Sequence, residues 1–441
     1  MAKTKWETRP LDVWNKAKEM RAKWQQSIDT ASSEKVLLAQ GNVGWAIGFP
    51  ALRVIEDNPV GAMMANKSDE FARICRLAGE IIGWGREICG YQLNCWGAMY
   101  LGHQQDGSPF PFRDLVIPFS DPCDQHTKRG QAPMDYSPIP RFQENYPLYT
   151  GPRDPDREKA MIEDKVYTTL YILEEIERIF GQKFDDERFI ESVKVSGGIA
   201  PYAQDVSRFM QHIPSPLSQK DLYSFYTLGG LTKGDPAETV AIWKALRDEV
   251  EWRVQNNIAA VGNERYRWME AHPPPWHFLK YYRYMEKYGA VCIGSQYSHM
   301  MAGPFELKKD GTWGPRFRGG GFGGRSFDDR PLKTREDAIR AMIGVEARGH
   351  RFKDDEVIRP WALNDFAKAY KVDGAILPLW RCGVGCTVTR KEQGLRLSEM
   401  GVRVLHYEGS QPGDRTDLDE NRLLDQLDVW MESQGLQKLE D

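Results

Sequence analysis

From about residue 272 onward the chain alternates short apolar runs with amphipathic stretches, and that alternation constrains its fold more than any other feature. Residues 278–288 read as a helix, Ala290-Val291-Cys292-Ile293-Gly294 as a strand and 334–348 as a helix. Residues 374–379 follow as a strand, 392–400 as a helix, 402–406 as a strand and 420–433 as a closing helix. Strands separated by helices must be joined by crossovers, which gives a parallel, doubly wound sheet whose ligands approach the carboxyl ends of its strands. Cys382 and Cys386 lie just past one such strand end.

The first half shows the same alternation, followed by a long helical block. Residues 1–35 form a charged helical extension with a loose apolar stripe of Leu11, Val13, Trp14 and Ala17. Residues 43–48 read as a buried strand. Ser68 caps a helix running through Phe71, Cys75, Ala78 and Ile82, which the glycines at 83, 85 and 90 break. From Asp154, Ile162, Val166, Leu170, Leu173, Ile176 and Ile179 recur at helical spacing until Gly181, and Asp235-Pro236-Ala237-Glu238 opens another helix.

A single core stops growing at about 250–300 residues, so 441 residues imply several units. The division expected is an extension over 1–35, a first α/β lobe over 36–150, a helical layer over 151–260 and a second α/β lobe over 261–441. The fold class is α/β, with two doubly wound parallel-sheet lobes and an intervening helical layer.

Charge narrows the partners. Lys and Arg total 59 against 63 Asp and Glu, a net charge of -4 with no long block of either sign, so no nucleic-acid or anionic-membrane partner is expected. No stretch approaches the ~20 apolar residues of a membrane span, and the first residues lack an apolar signal core. A cytoplasmic protein is expected. Seven cysteines, an odd number without a secretion signal, favour metal binding, redox chemistry or burial over a disulfide framework.

Three cysteine contexts look unlike core packing: Asn94-Cys95-Trp96-Gly97, Asp121-Pro122-Cys123-Asp124-Gln125-His126 and Arg381-Cys382-Gly383-Val384-Gly385-Cys386-Thr387. Each reads as a turn able to present a sulfur outward. Cys75 and Cys292 sit instead in apolar runs, as structural cysteines do. Cys95 and Cys123 are 28 residues apart and Cys386 lies 263 further on, so a shared metal would have to be assembled by the tertiary fold. Asp124 and His126 are candidates to hold or relay protons beside Cys123, the alternative being an Asp-stabilised turn. The loop from Arg318 to Arg325 has five glycines and two arginines suited to phosphate, although it is neither a P-loop nor a dinucleotide fingerprint.

The order of these segments resembles the 2-hydroxyacyl-CoA dehydratase and benzoyl-CoA reductase family. The resemblance is carried by Cys95-Trp96 with Tyr100-Leu101-Gly102, Asp121-Pro122-Cys123-Asp124, Pro214-Ser215-Pro216-Leu217-Ser218, Lys287-Tyr288-Gly289-Ala290-Val291, Arg381 to Cys386, Gly401-Val402-Arg403-Val404-Leu405, Glu408 and Asp414-Arg415. It implies a [4Fe-4S]-type iron–sulfur cluster held by three cysteines, carried over here to Cys95, Cys123 and Cys386, with Cys382 and Cys89 as the lesser alternatives. Three ligands leave one iron of the cube open. It also implies a homologous second cluster-bearing subunit, an ATPase activator module with its own Fe–S cluster, ferredoxin as electron donor and ATP hydrolysed by partner subunits.

Ala46-Ile47-Gly48-Phe49-Pro50 stands where dehydratases of the family carry Pro-x-Glu, and the loop over 311–330 is an addition. Those departures resemble the larger cluster-bearing subunit of ATP-dependent benzoyl-CoA reductase, which implies benzoyl-CoA as substrate and a cyclic dienoyl-CoA as product; the two Arg and five Gly of the loop from Arg318 to Arg325 would then suit the phosphates of the CoA tail. A 2-hydroxyacyl-CoA dehydratase subunit is the alternative, and a scaffold with inert cysteines a third class.

Overall fold

Two parallel sheets, each covered by helices on both faces, organise the chain. The structure is a computed structural model that describes residues 5–31, 33–41, 43–85, 88–117, 138–142, 154–226, 228, 235–271, 274–295, 305–315, 331–349, 363–381, 390–409 and 419–439. After helix α1 (Trp14–Asp29), strand β1 (Leu37–Gly41) pairs in parallel with β2 (Leu52–Ile55) and with β3 (Leu115–Ile117) in the order β2-β1-β3. Helices α2 (Asp57–Lys67), α3 (Asp69–Ile81) and α4 (Gly90–Leu101) lie between β2 and β3.

The helical layer comprises α5 (Pro155–Phe180), α6 (Asp186–Ser196), α7 (Ile199–Phe209), α8 (Gln219–Tyr226) and α9 (Pro236–Gln255). The second sheet follows, with β4 (Tyr266–Glu270), α10 (Lys280–Glu286), β5 (Ala290–Ser295) and a small antiparallel hairpin of β6 (Phe305–Leu307) and β7 (Trp313–Pro315). Then come α11 (Arg335–Gly349), α12 (Leu363–Tyr370), β8 (Gly374–Ile376), β9 (Leu379–Trp380), α13 (Arg390–Glu399), β10 (Arg403–Leu405), β11 (Glu408–Gly409) and α14 (Glu420–Glu432). Strands β10-β8-β4-β5 form one parallel sheet, and β9 and β11 extend it as a separate parallel pair.

Caps and stop signals behave as the sequence anticipates. Ser68 Oγ accepts from the Phe71 N–H at 3.1 Å, and Asp235 Oδ1 accepts from the Ala237 N–H at 2.7 Å, each satisfying an orphan donor of the first helical turn. Two expectations are corrected. Residues 44–48 form a 3₁₀ turn between β1 and β2 rather than a strand, with Trp45 and Ala46 buried beneath it. Gly90 opens α4 rather than breaking a helix, and Cys95 lies in the middle of that helix, not in a turn.

Glycine enters α4 for contact, not for flexibility. A side chain at Gly97 would collide with the backbone carbonyl of Cys75 on α3, and one at Gly61 on α2 would collide with the carbonyl of Tyr91. The three helices therefore pack backbone to backbone, which fixes where α4 presents its cysteines. On the other face of the first sheet, Val166, Leu173 and Ile176 of α5 meet Leu115, Ile117 and Val54. Ile339, Met342 and Ile343 of α11 join that same core, although they come from the second half of the chain.

Substituting Gly97→Ala should overpack the α3–α4 contact, at a cost of about 1–3 kcal/mol. A lowered thermal midpoint checks this; an unchanged one would show that α3 yields without penalty.

Candidate functional site

Each sheet has a point where the strand order reverses. In the first, β1 has β2 on one side and β3 on the other; in the second, β4 has β5 on one side and β8 on the other. The crevice outside the carboxyl ends at such a reversal is where open α/β sheets bind ligands. Ile117 ends β3 and precedes Cys123 by six residues; Trp380 ends β9 and precedes Cys382 by two. Cys123, Asp124, His126, Arg318, Arg325, Cys382 and Cys386 themselves lie outside the described residues.

The two cysteines of α4 occupy different surroundings. Cys95 is 2% exposed in the core between α2, α3 and α4, where Arg113 Nη2 lies 3.9 Å from its sulfur and the Arg113 guanidinium stacks over Phe110 at 4.7 Å. Cys89 is the N-cap residue of that helix and packs in an aromatic core shared with the second sheet, among Tyr91, Tyr223, Trp268, Tyr282, Trp380 and Tyr407. That core joins the lobes: Trp276 Nε1 donates to Tyr91 Oη, and the Trp380 ring meets Tyr407 edge-on at 5.5 Å. Cys89 is thus the α4 cysteine that faces the elements leading to Cys382 and Cys386.

Cys75 and Cys292 are both buried. Burial pushes the Cys75 thiol up to about 12. It also raises Cys292 well above its ordinary value, aided by the charge of Glu270. Neither thiol is disposed to ionise, as a metal ligand must. Among the described residues no group of three His, Cys, Asp or Glu side chains is placed to hold a metal ion, so any cluster would depend on the cysteines outside them.

Sequence reasoning missed Glu270. It ends β4 at the β4–β8 reversal, is fully buried, and accepts hydrogen bonds from Tyr223, Tyr281 and Tyr282 Oη. Burial raises its carboxyl from 4.5 to about 7, and the three phenol donors hold it from rising further. With no cation beside it among the described residues, this fully buried acid resolves its cost by keeping a proton. The sequence carries no clear signal for it: the acid lies four residues before Pro274, in a stretch not read as a strand. A separate cavity of 440 Å³, lined by residues such as Met20, Arg53, Arg188 and Glu238, lies beside β2 and contains none of these groups.

These features define an α/β protein with a strand-order reversal in each sheet and an aromatic core between the sheets. The model of the 2-hydroxyglutaryl-CoA dehydratase, D-component, family matches residues 70–313, more than half of the chain. The chain belongs to that family. It is 25% identical over 253 residues to the (R)-phenyllactyl-CoA dehydratase alpha subunit of Clostridium sporogenes, an alignment covering 54% of this chain and 59% of the relative. It is 25% identical over 283 residues to the (R)-2-hydroxyisocaproyl-CoA dehydratase alpha subunit of Clostridioides difficile, covering 60% and 66%. The alignments thus span about three-fifths to just under two-thirds of those relatives. No helix among the described residues is long and apolar enough to cross a membrane.

Glu270 makes stability depend on pH. Because its folded value is raised, the stability it contributes is fully present below 4.5 and is lost as pH rises through about 7, a difference on the order of 3 kcal/mol. Glu270→Gln should remove this dependence. Urea unfolding of both proteins between about pH 5 and 8 should show the variant gaining on the wild type as pH rises, and parallel curves would contradict the assignment.

Proposed function

We propose that this chain is the iron–sulfur active-site subunit of a hetero-oligomeric enzyme acting on a CoA thioester. The observation that carries this reading is that β3 and the β8–β9 segment, at the reversals of the two sheets, run into the stretches bearing Cys123 and Cys386, while α4 carries Cys89 and Cys95. The cysteines proposed as ligands are Cys123, Cys386 and one of the α4 pair. Resemblance assigned Cys95, but the N-cap position of Cys89 in the interlobe core favours it as the α4 ligand. The cluster, when bound, supplies single electrons at low potential.

The chain's own residues supply the surroundings. Buried aromatic side chains beside the β4–β8 reversal keep that strand end dry, and the reaction proposed there is the reduction of benzoyl-CoA to a cyclic dienoyl-CoA. Arg318 and Arg325 are assigned to the CoA phosphates. Electrons would come from ferredoxin through an ATP-hydrolysing activator module, with a homologous cluster-bearing subunit completing the active site. The second reading is dehydration of a 2-hydroxyacyl-CoA, and the names of both relatives support it.

Anaerobically purified protein should be brown and contain iron. Ala substitutions at Cys123, Cys386 and Cys89 should abolish bound iron, and those at Cys75 and Cys292 should leave it. Loss in Cys95→Ala but not Cys89→Ala would return the α4 ligand to Cys95, and iron retained in all of them would remove the cluster.

With reduced ferredoxin, ATP and its partner subunits, the chain should convert benzoyl-CoA to a dienoyl-CoA with ATP consumed in step with electrons. Dehydration of a 2-hydroxyacyl-CoA with benzoyl-CoA untouched would establish the second reading. Changing Arg318 and Arg325 together to Ala should raise KM for the thioester with kcat largely kept, and an unchanged KM would remove that loop from the site.

A further inference from the structure

Glu270 is not among the residues proposed to hold a cluster, and it ends β4 at the strand reversal where a ligand is expected. It faces Tyr223 from α8, Tyr281 and Tyr282 from α10, Cys292 from β5 and Tyr407 from the turn after β10, and no cationic side chain pairs with it among the described residues. Tyr223 and Tyr282 Oη are 3.5 Å apart, so the phenols form a connected patch around the carboxyl. Two polar groups of this patch, Tyr407 Oη and Trp268 Nε1, are buried without a hydrogen-bond partner among the described residues. Unsatisfied buried donors beside a fully satisfied carboxyl mark a place where a further polar group is expected.

We propose that Glu270, fixed by Tyr223, Tyr281 and Tyr282, is a buried proton store for the crevice at the β4–β8 reversal, exchanging its proton with a CoA thioester bound there. This rests on the function proposed above, in either of its readings. Ring reduction takes up a proton with each electron, and elimination removes a proton from carbon and returns one to the departing hydroxide. Both need a proton source in a dry site. In the donating step the carboxyl O–H, donated to one phenol oxygen, breaks as that phenol passes its own proton on to the acceptor, and the phenol's new O–H then donates to the carboxylate left behind beside the other two. Accepting a proton reverses this. The carboxyl titrates near neutrality, where such a group is most effective. Glu270 does not itself touch the crevice contents and acts through its tyrosines, as a positioning and proton-holding residue.

Infrared difference spectra of the full chain, titrated through neutral pH, test the store without requiring turnover. A protonated-carboxyl band should appear with a midpoint near 7, be absent in Glu270→Gln, move to higher pH in Tyr282→Phe, which lacks one of the donors that restrain it, and change midpoint on adding benzoyl-CoA. With the partner subunits, kcat of Glu270→Gln should lose its inflection near neutrality. A carboxyl that is ionised throughout, or a midpoint unmoved in Tyr282→Phe, overturns the store. A band that behaves as expected but ignores benzoyl-CoA, with the kcat profile of Glu270→Gln unchanged, overturns its link to the crevice. An expected band that responds to benzoyl-CoA in a complex that neither reduces nor dehydrates any thioester leaves the store standing and overturns the function proposed above.

Discussion

The arrangement of the second lobe depends on one buried guanidinium. Arg267, the second residue of β4 and only 4% exposed, donates to the main-chain carbonyls of Met210, His212 and Tyr370 at 2.8, 3.1 and 2.9 Å and pairs with Glu264. Glu264 in turn accepts from the main-chain N–H of Ser215. A buried charge is tolerable only when its donors are met, and here they are spent on the residues just after α7, on the end of α12 and on Glu264, which itself ties down the Pro214-Ser215-Pro216 corner. One side chain thus fixes the central strand against the helical layer, and with it the position of Glu270 three residues on.

The same strand alternates between two kinds of core. Arg267 and Met269 point to the helical layer, while Tyr266, Trp268 and Glu270 point to the aromatic core shared with α4. Sheets covered on both faces need both sides filled, and here one side is filled by the helical layer, where aliphatic and aromatic side chains mix, and the other mostly by aromatics. The aromatic side is where the lobes meet, so the packing that holds them together also walls off the proposed site.

Much of this was legible in the sequence, and the failures have physical causes. Helices with strong caps and regular apolar spacing, such as α5 and α9, were readable because local chemistry decides them. The parallel sheet followed from strand and helix alternation in the second half. Strand β4 was hidden because a fully buried strand normally reads as continuous Val and Ile, and Tyr-Arg-Trp-Met-Glu does not. Residues 43–48 mimic a strand in composition, but flanking glycines turn the chain there. Cys95 resembled a turn residue because Gly97 follows it, yet that glycine serves a close helix contact that only tertiary structure reveals. The pull of the aromatic core on Cys89 is likewise a property of the assembled lobes, and the remaining candidate cysteines fall outside the described residues.

Helix α11 carries a consequence for how the chain can be divided. Coming after the second sheet has begun, it returns to pack on α5 and the β1–β3 face, and Arg340 pairs there with Glu163 at 2.9 Å. The first lobe is therefore completed by residues from the second half, so the two lobes are interleaved in sequence rather than laid end to end. A cut between residues 260 and 335 would leave the amino-terminal fragment with an open apolar face, and evolutionary exchange of one lobe for another would have to carry α11 along with the first.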